Sequence, residues 1–224
     1  MTFSSGGTLT TWNGAPVYVS LANGASLGGA TTGQGDATIT GTYGLMAETF
    51  TPSASFTLGS FSAMLSVNAP DTYQINLYDL GPAGTVSVSS SAATYTPGTS
   101  LFSVNTIALS TTGGEVQGTF VLPTLDQVTL NANEEYALEI WTPAADGAAG
   151  ITWFRGSAAD PGGQMFSDAS QATARATLAA NGQAGGAPRT GALALYAAPV
   201  PEPSSLALIG GGIALVGMVR RFKK

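Results

Sequence analysis

At 224 residues the chain suits one ordinary domain plus an appendage, and only 9% of it is charged against roughly 25% in a typical soluble domain. It contains no Cys and no His, which removes Ser-His-Asp and Cys-His nucleophilic sites, thiol redox chemistry and the usual Zn, Cu and haem ligands. Residues 1–199 hold twelve of the thirteen acids and only Arg155, Arg175 and Arg189, a net charge of −9, while the last five residues carry +4. So acidic a body repels phosphate backbones, and nucleic acid is excluded as a partner.

Strand signals run along most of the body. In chain order the candidates are residues 17–21, 36–43, 45–51, 55–67, 72–78, 85–90, 101–109, 115–122, 127–130, 135–141, 150–155 and 191–197. Two of them alternate clearly with period two: Tyr73, Ile75 and Leu77 share one face opposite Gln74 and Asn76, and Tyr136, Leu138 and Ile140 share one face opposite Glu135, Glu139 and Trp141. Turn chemistry separates many of these runs, as at Ala69-Pro70-Asp71, Leu80-Gly81-Pro82, Thr96-Pro97-Gly98 and Gly113-Gly114. Only residues 171–181 have helical propensity, and they read equally well as part of a long loop before the Gly-rich stretch 182–191. Trp12, Trp141, Trp153 and nine Phe argue for a packed core and against disorder. The expectation is an all-β protein: an antiparallel, jelly-roll-like β-sandwich over residues 1–198, followed by a single C-terminal transmembrane helix.

That helix is read from Leu206–Val219, fourteen residues without charge, extended to sixteen by Ser204 and Ser205. A helix of fourteen residues spans roughly 21 Å, short of the roughly 30 Å hydrocarbon core. The flanks decide in favour of a membrane. The run is apolar on every side, including Leu206, Ile209, Gly211, Leu215 and Val219, and Arg220, Arg221, Lys223 and Lys224 follow at once with side chains long enough to snorkel. The positive-inside tendency places that basic end in the cytoplasm and residues 1–199 on the other side. Gly210, Gly211, Gly212 and Gly217 make it a weak and temporary anchor. Ahead of it Pro199-Val200-Pro201-Glu202-Pro203 forms a stiff, extended spacer that a processing enzyme can grip.

Val200-Pro201-Glu202-Pro203-Ser204-Ser205, then a Gly-containing apolar helix (204–219), then an arginine-led basic end (220–224) resembles the PEP-CTERM sorting signal of Gram-negative bacteria. The resemblance implies recognition of Pro201, Glu202 and Pro203 by an exosortase-type membrane protease. It also implies passage through an inner-membrane intermediate and a final place at the cell surface or outside the cell. Members of that family begin with a cleavable signal peptide, whereas MTFSSGGTLTTWNGAPVYVS has neither a basic n-region nor an apolar h-region. The expectation is therefore a start site further upstream or a truncated chain. The alternative, a tail-anchored cytoplasmic protein, would put −9 inside and +4 outside, against the positive-inside bias. Within the body, Ala47-Glu48-Thr49-Phe50-Thr51, Phe56-Thr57-Leu58-Gly59-Ser60-Phe61, Ile75-Asn76-Leu77-Tyr78-Asp79, Leu130 to Leu138, Trp153 and Gly162-Gly163 resemble the choice-of-anchor β-sandwich ectodomains that precede such tails. That resemblance implies a fold and an extracellular setting, and no active site.

Three chemistries bear on the body. A glycoside hydrolase needs two carboxylates on one cleft, and Glu134, Glu135 and Glu139 lie close in sequence. The plainer account is an exposed strand face whose acids keep the surface soluble, and no enzymatic activity is expected. Sugar binding would use Trp141 or Trp153 as a platform with Gln74 and Asn76 as hydrogen-bond partners, although large aromatics are more often core. No catalytic metal is expected. A structural Ca2+ among Asp146, Asp160 and Asp168 would need oxygen ligands from separate loops, because no D-x-D-x-D-G series occurs. The role expected is a non-enzymatic exported surface or extracellular-matrix protein of an exopolysaccharide or biofilm. A carbohydrate-binding module of that exopolysaccharide is the alternative, and a hydrolase the third reading.

Overall fold

The computed structural model describes residues 2–5, 11–22, 37–39, 45–67, 71–86, 94–95, 97–110, 116–141, 151–156, 163–168, 178–180 and 190–199. In chain order the strands are β1 (Thr2–Ser5), β2 (Tyr18–Val19), β3 (Ala37–Ile39), β4 (Leu45–Phe50), β5 (Phe56–Val67), β6 (Asp71–Pro82), β7 (Thr94–Tyr95), β8 (Thr99–Leu109) and β9 (Val116–Val121). A single 3-10 turn at Thr124–Asp126 leads to β10 (Val128–Leu130), β11 (Glu134–Trp141), β12 (Ile151–Trp153), β13 (Arg155–Gly156), β14 (Met165–Asp168), β15 (Leu178–Ala180), β16 (Thr190–Gly191) and β17 (Leu193–Ala197). They form two large antiparallel sheets. Sheet I runs β1-β9-β5-β12-β3, with β10 and β17 also on β5 and β2 on β17; sheet II runs β7-β15-β14-β4-β11-β6-β8. A small ribbon pairs β13 with β16. Successive strands cross repeatedly between the sheets, which is how a sandwich keeps both inner faces covered by neighbours in sequence.

Alternation explains the core. Tyr73, Ile75 and Leu77 of β6 and Tyr136, Leu138 and Ile140 of β11 point inward from sheet II, and Phe61, Leu65 and Val67 of β5 with Leu193 and Leu195 of β17 meet them from sheet I. Phe61 and Phe120 are cross-strand partners whose rings stack at 4.7 Å, and Tyr18 of sheet I reaches Phe50 of sheet II at 5.5 Å. The twelve residues of β5 organise sheet I: β9 and β10 pair along one edge, β17 and β12 along the other. Its parity changes once. Phe56 and Leu58 face inward at even positions, Phe61, Ala63, Leu65 and Val67 at odd ones, because Gly59 is an extra residue opposite the Tyr196/Ala197 step of β17.

Most of the expected strands are present, with shifted ends. Four strands carried no adequate signal: β1, β7, β14 and β15. The helical propensity at 171–181 is overridden where it can be followed, because Leu178–Ala180 pairs with β14 and β7. Thr85 and Val86 belong to a turn rather than a strand, closed by Thr85 N–H donating to the Pro82 carbonyl at 3.1 Å; the rest of 85–90 lies outside the described residues. The expected transmembrane helix at 204–219 also lies outside them. No helix among the described residues is long and apolar enough to cross a membrane.

Candidate functional site

The tail leaves the sandwich from a strand in the middle of sheet I. β17 pairs with β5 on one side and β2 on the other. Its last tether is Ala198 N–H donating to the Thr57 carbonyl at 2.7 Å, after which Pro199 is exposed. A Cβ on Gly59 would stand 2.5 Å from the Ala198 Cα, so the bulge glycine is what admits the departing chain.

The start of that strand is held by side chains from three other elements. Gly191 N–H donates to Glu48 Oε2 at 2.8 Å. The Ser20 hydroxyl donates to the Gly191 carbonyl at 2.6 Å and accepts from Leu193 N–H at 2.9 Å. The Trp153 indole donates to the Ala192 carbonyl at 3.0 Å. Sequence reasoning did not find this clasp, yet a signal existed. Glu48 lies between Met46 and Phe50, both inward, and its register partners Leu138 and Met165 are core residues. An acid at a core position of an alternating strand is a structural specification.

This geometry corrects one platform candidate. Trp153 is 0% exposed and packs in the central core, so its ring cannot meet a ligand. Trp141 ends β11 in register with Gln74 and Leu45; its side chain lies outside the described residues.

Two of the three acids of β11 are also not the exposed solubilising face expected, and Glu134 is half-buried. Glu135 and Glu139 are 1% and 0% exposed. Glu135 Oε2 accepts Val86 N–H at 2.9 Å and fixes the turn after β6; burial pushes its pKa up, and the backbone amides of Val86, Gly84 and Thr85 partly offset that. Glu139 Oε2 accepts from Asn76 Nδ2 at 3.3 Å. From there a polar row crosses the outer face of sheet II. Ser103 Oγ donates to Asn76 Oδ1 at 2.7 Å, and Gln74 Nε2 donates to Ser103 Oγ at 2.9 Å and to Asn76 Oδ1 at 3.2 Å. The structure thus brings together Gln74, Asn76 and Glu139, with Trp141 next in register. Glu135 and Glu139 stand four residues apart on β11, their Cα atoms ~13 Å from each other, and each carboxylate is engaged within the fold, Glu135 with Val86 and Glu139 with Asn76.

Among the described residues no group of three or more acids is gathered for a metal. Asp146 and Asp160 lie outside them, and of Asp168 only the backbone, at the end of β14, is described. Pro201, Glu202, Pro203, Leu206, Ile209, Gly211, Leu215, Val219, Arg220, Arg221, Lys223 and Lys224 lie outside them as well.

Comparison with known proteins bears on those last residues. No curated protein and no solved structure matches the chain. The family model of the PEP-CTERM protein-sorting motif matches residues 199–224, beginning at the residue where the backbone leaves the sandwich. The chain therefore carries a PEP-CTERM sorting motif directly behind an all-β body.

Proposed function

We propose that this is an exported, non-enzymatic surface or extracellular-matrix protein whose jelly-roll-like body is delivered by its tail. In this reading an exosortase-type membrane protease recognises Pro201-Glu202-Pro203, residues 204–219 cross the inner membrane as a transient anchor, and Arg220, Arg221, Lys223 and Lys224 hold the end in the cytoplasm. The observation that carries it is the sorting motif at 199–224, set immediately after the last backbone tether of the sandwich. In this reading a protease acting there cuts beyond the last tether and leaves the folded body intact. The test is the intact mass of the protein recovered outside the producing cells. Loss of the tail from near Pro201, abolished by replacing Pro201, Glu202 and Pro203 with Ala, supports the reading. A full-length chain confined to the membrane fraction overturns it.

A second reading, a carbohydrate-binding module of an exopolysaccharide, rests on Trp141 at the end of β11, since Asn76 and Glu139 behind it are buried and bonded to each other. Retention of the chain on a polysaccharide panel, lost with Trp141→Ala but kept with Ser53→Ala, exposed in the connection between β4 and β5, supports it. No retention on any polysaccharide sinks it.

A further inference from the structure

An open sheet edge displays a row of backbone N–H and C=O groups that template another strand, and proteins blunt such edges by keeping the strand short or by placing Lys or Pro on it. Among the described residues this protein shortens nearly every edge. The outermost strands β1, β2, β3 and β7 have two to four residues each. The exception is β8. It has eleven residues, ~36 Å at the usual strand rise, and closes sheet II with β6 as its only partner strand among the described residues. From Thr99 to Leu109 it contains neither proline nor charge. Two bulges, at the Tyr73/Ile75 and Leu77/Tyr78 steps of its register with β6, bend it without charging it.

Its described neighbours bear on that property. β1, itself without charge, touches β8, and the acids next to it in register are Asp71 and Asp79 of β6, opposite Leu109 and Thr99. In a body of net charge −9, two β8 edges can therefore meet with these acids one strand back from the seam and none on it. A charge-free strand also has nothing with which to select an oppositely charged partner, whereas its own hydrogen-bonding edge complements itself under a twofold axis.

We propose that β8 is a self-association edge, pairing antiparallel with β8 of a second copy so that two seven-stranded sheets become one continuous sheet. The proposal concerns the body and does not depend on how the tail is processed.

The chain has no Cys, so single cysteines report position cleanly. Ser100, Ala108 and Leu125 are exposed, the first two near opposite ends of β8 and the third on the 3-10 turn away from it. Full-length Ser100→Cys and Ala108→Cys chains are mixed in detergent and treated with a short bis-maleimide, with Leu125→Cys alone as the reference. Antiparallel pairing predicts mixed Ser100/Ala108 cross-links several-fold above the Leu125 level. It also predicts a dimer by sedimentation that the double variant Ser100→Asp/Ala108→Asp converts to monomer with its circular dichroism and Tm unchanged. A wild-type chain that sediments as a monomer at micromolar concentration overturns the proposal. So does a dimer whose Ser100/Ala108 cross-linking stays at the Leu125 level, which would assign association to another surface or to the apolar tail.

Discussion

Trp153→Ala separates a core role for this residue from a platform role. The side chain is fully buried and its indole N–H is committed to the Ala192 carbonyl. A buried Trp removes about 150–250 Å² from water, at about 25 cal/mol per Å². Truncation to Ala keeps only a small part of that and leaves a void, giving about 3–5 kcal/mol in all. A domain of this size holds about 5–15 kcal/mol in total, so the variant remains folded but marginal. The expected shift in Tm is about 2–4 °C for each kcal/mol. Trp153→Phe keeps most of the volume and loses the hydrogen bond, for about 1–2 kcal/mol. Urea unfolding followed by circular dichroism reads both, with Trp12 and Trp141 fluorescence as a second probe. A loss below about 1 kcal/mol for Trp153→Ala would refute the burial argument. Any ligand lost by this variant at a temperature where it is unfolded says nothing about a platform.

Three further outcomes follow from the region where the tail departs and from the buried acids. Gly59→Ala forces apart β5 and Ala198, costing about 1–3 kcal/mol, and hydrogen exchange at the Ala198 amide, which donates to Thr57, should speed up while β6 and β11 stay protected. Ser20→Ala strips Leu193 N–H of the hydroxyl it donates to and the Gly191 carbonyl of its donor; about 1–3 kcal/mol is expected in urea unfolding, with little effect from Ser20→Thr if the branched hydroxyl keeps its place. Glu135 has its pKa raised in the fold from 4.5, mainly by burial. Its contribution is therefore fully present below that value and is lost as pH rises through the folded pKa, so Glu135→Gln should narrow the difference in Tm between pH 4 and pH 7 relative to wild type. An unchanged difference would count against it.

How much of this was legible depends on period. β6 and β11 were readable because Tyr73, Ile75, Leu77 and Tyr136, Leu138, Ile140 alternate without interruption. Their outward partners lie on the face that alternation gives them but are not exposed there, since alternation reports direction and not what covers the far side. Gln74, Asn76 and Glu139 are buried on the face opposite the core. β14 and β15 were missed for a different reason: each is three or four residues long, and their pairing with β4 and β7 is a long-range choice. Gly163 shows what a motif can hold without explaining it. The Gly-Gly pair resembled a family feature, and the structure supplies the cause, because a Cβ at Gly163 would collide with the Thr49 carbonyl oxygen.

The buried acids join the composition to the architecture. A body with twelve acids and three arginines has too few cations to match every carboxylate. Glu48 and Glu135 accept backbone amides, of Gly191 and Val86, and Glu139 accepts from the Asn76 side chain. Such bonds join distant parts of the chain at fixed geometry. Glu48 ties β4 to residue 191, 143 positions away, at the root of the strand that bears the sorting tail. Besides the ladders of β17 with β5 and β2, the side-chain support at the root of that strand comes from this carboxylate, the Ser20 hydroxyl and the Trp153 indole. All three act on backbone atoms of residues 191–193, so side-chain identity in β17 is free to serve the core while the backbone is held from outside the strand.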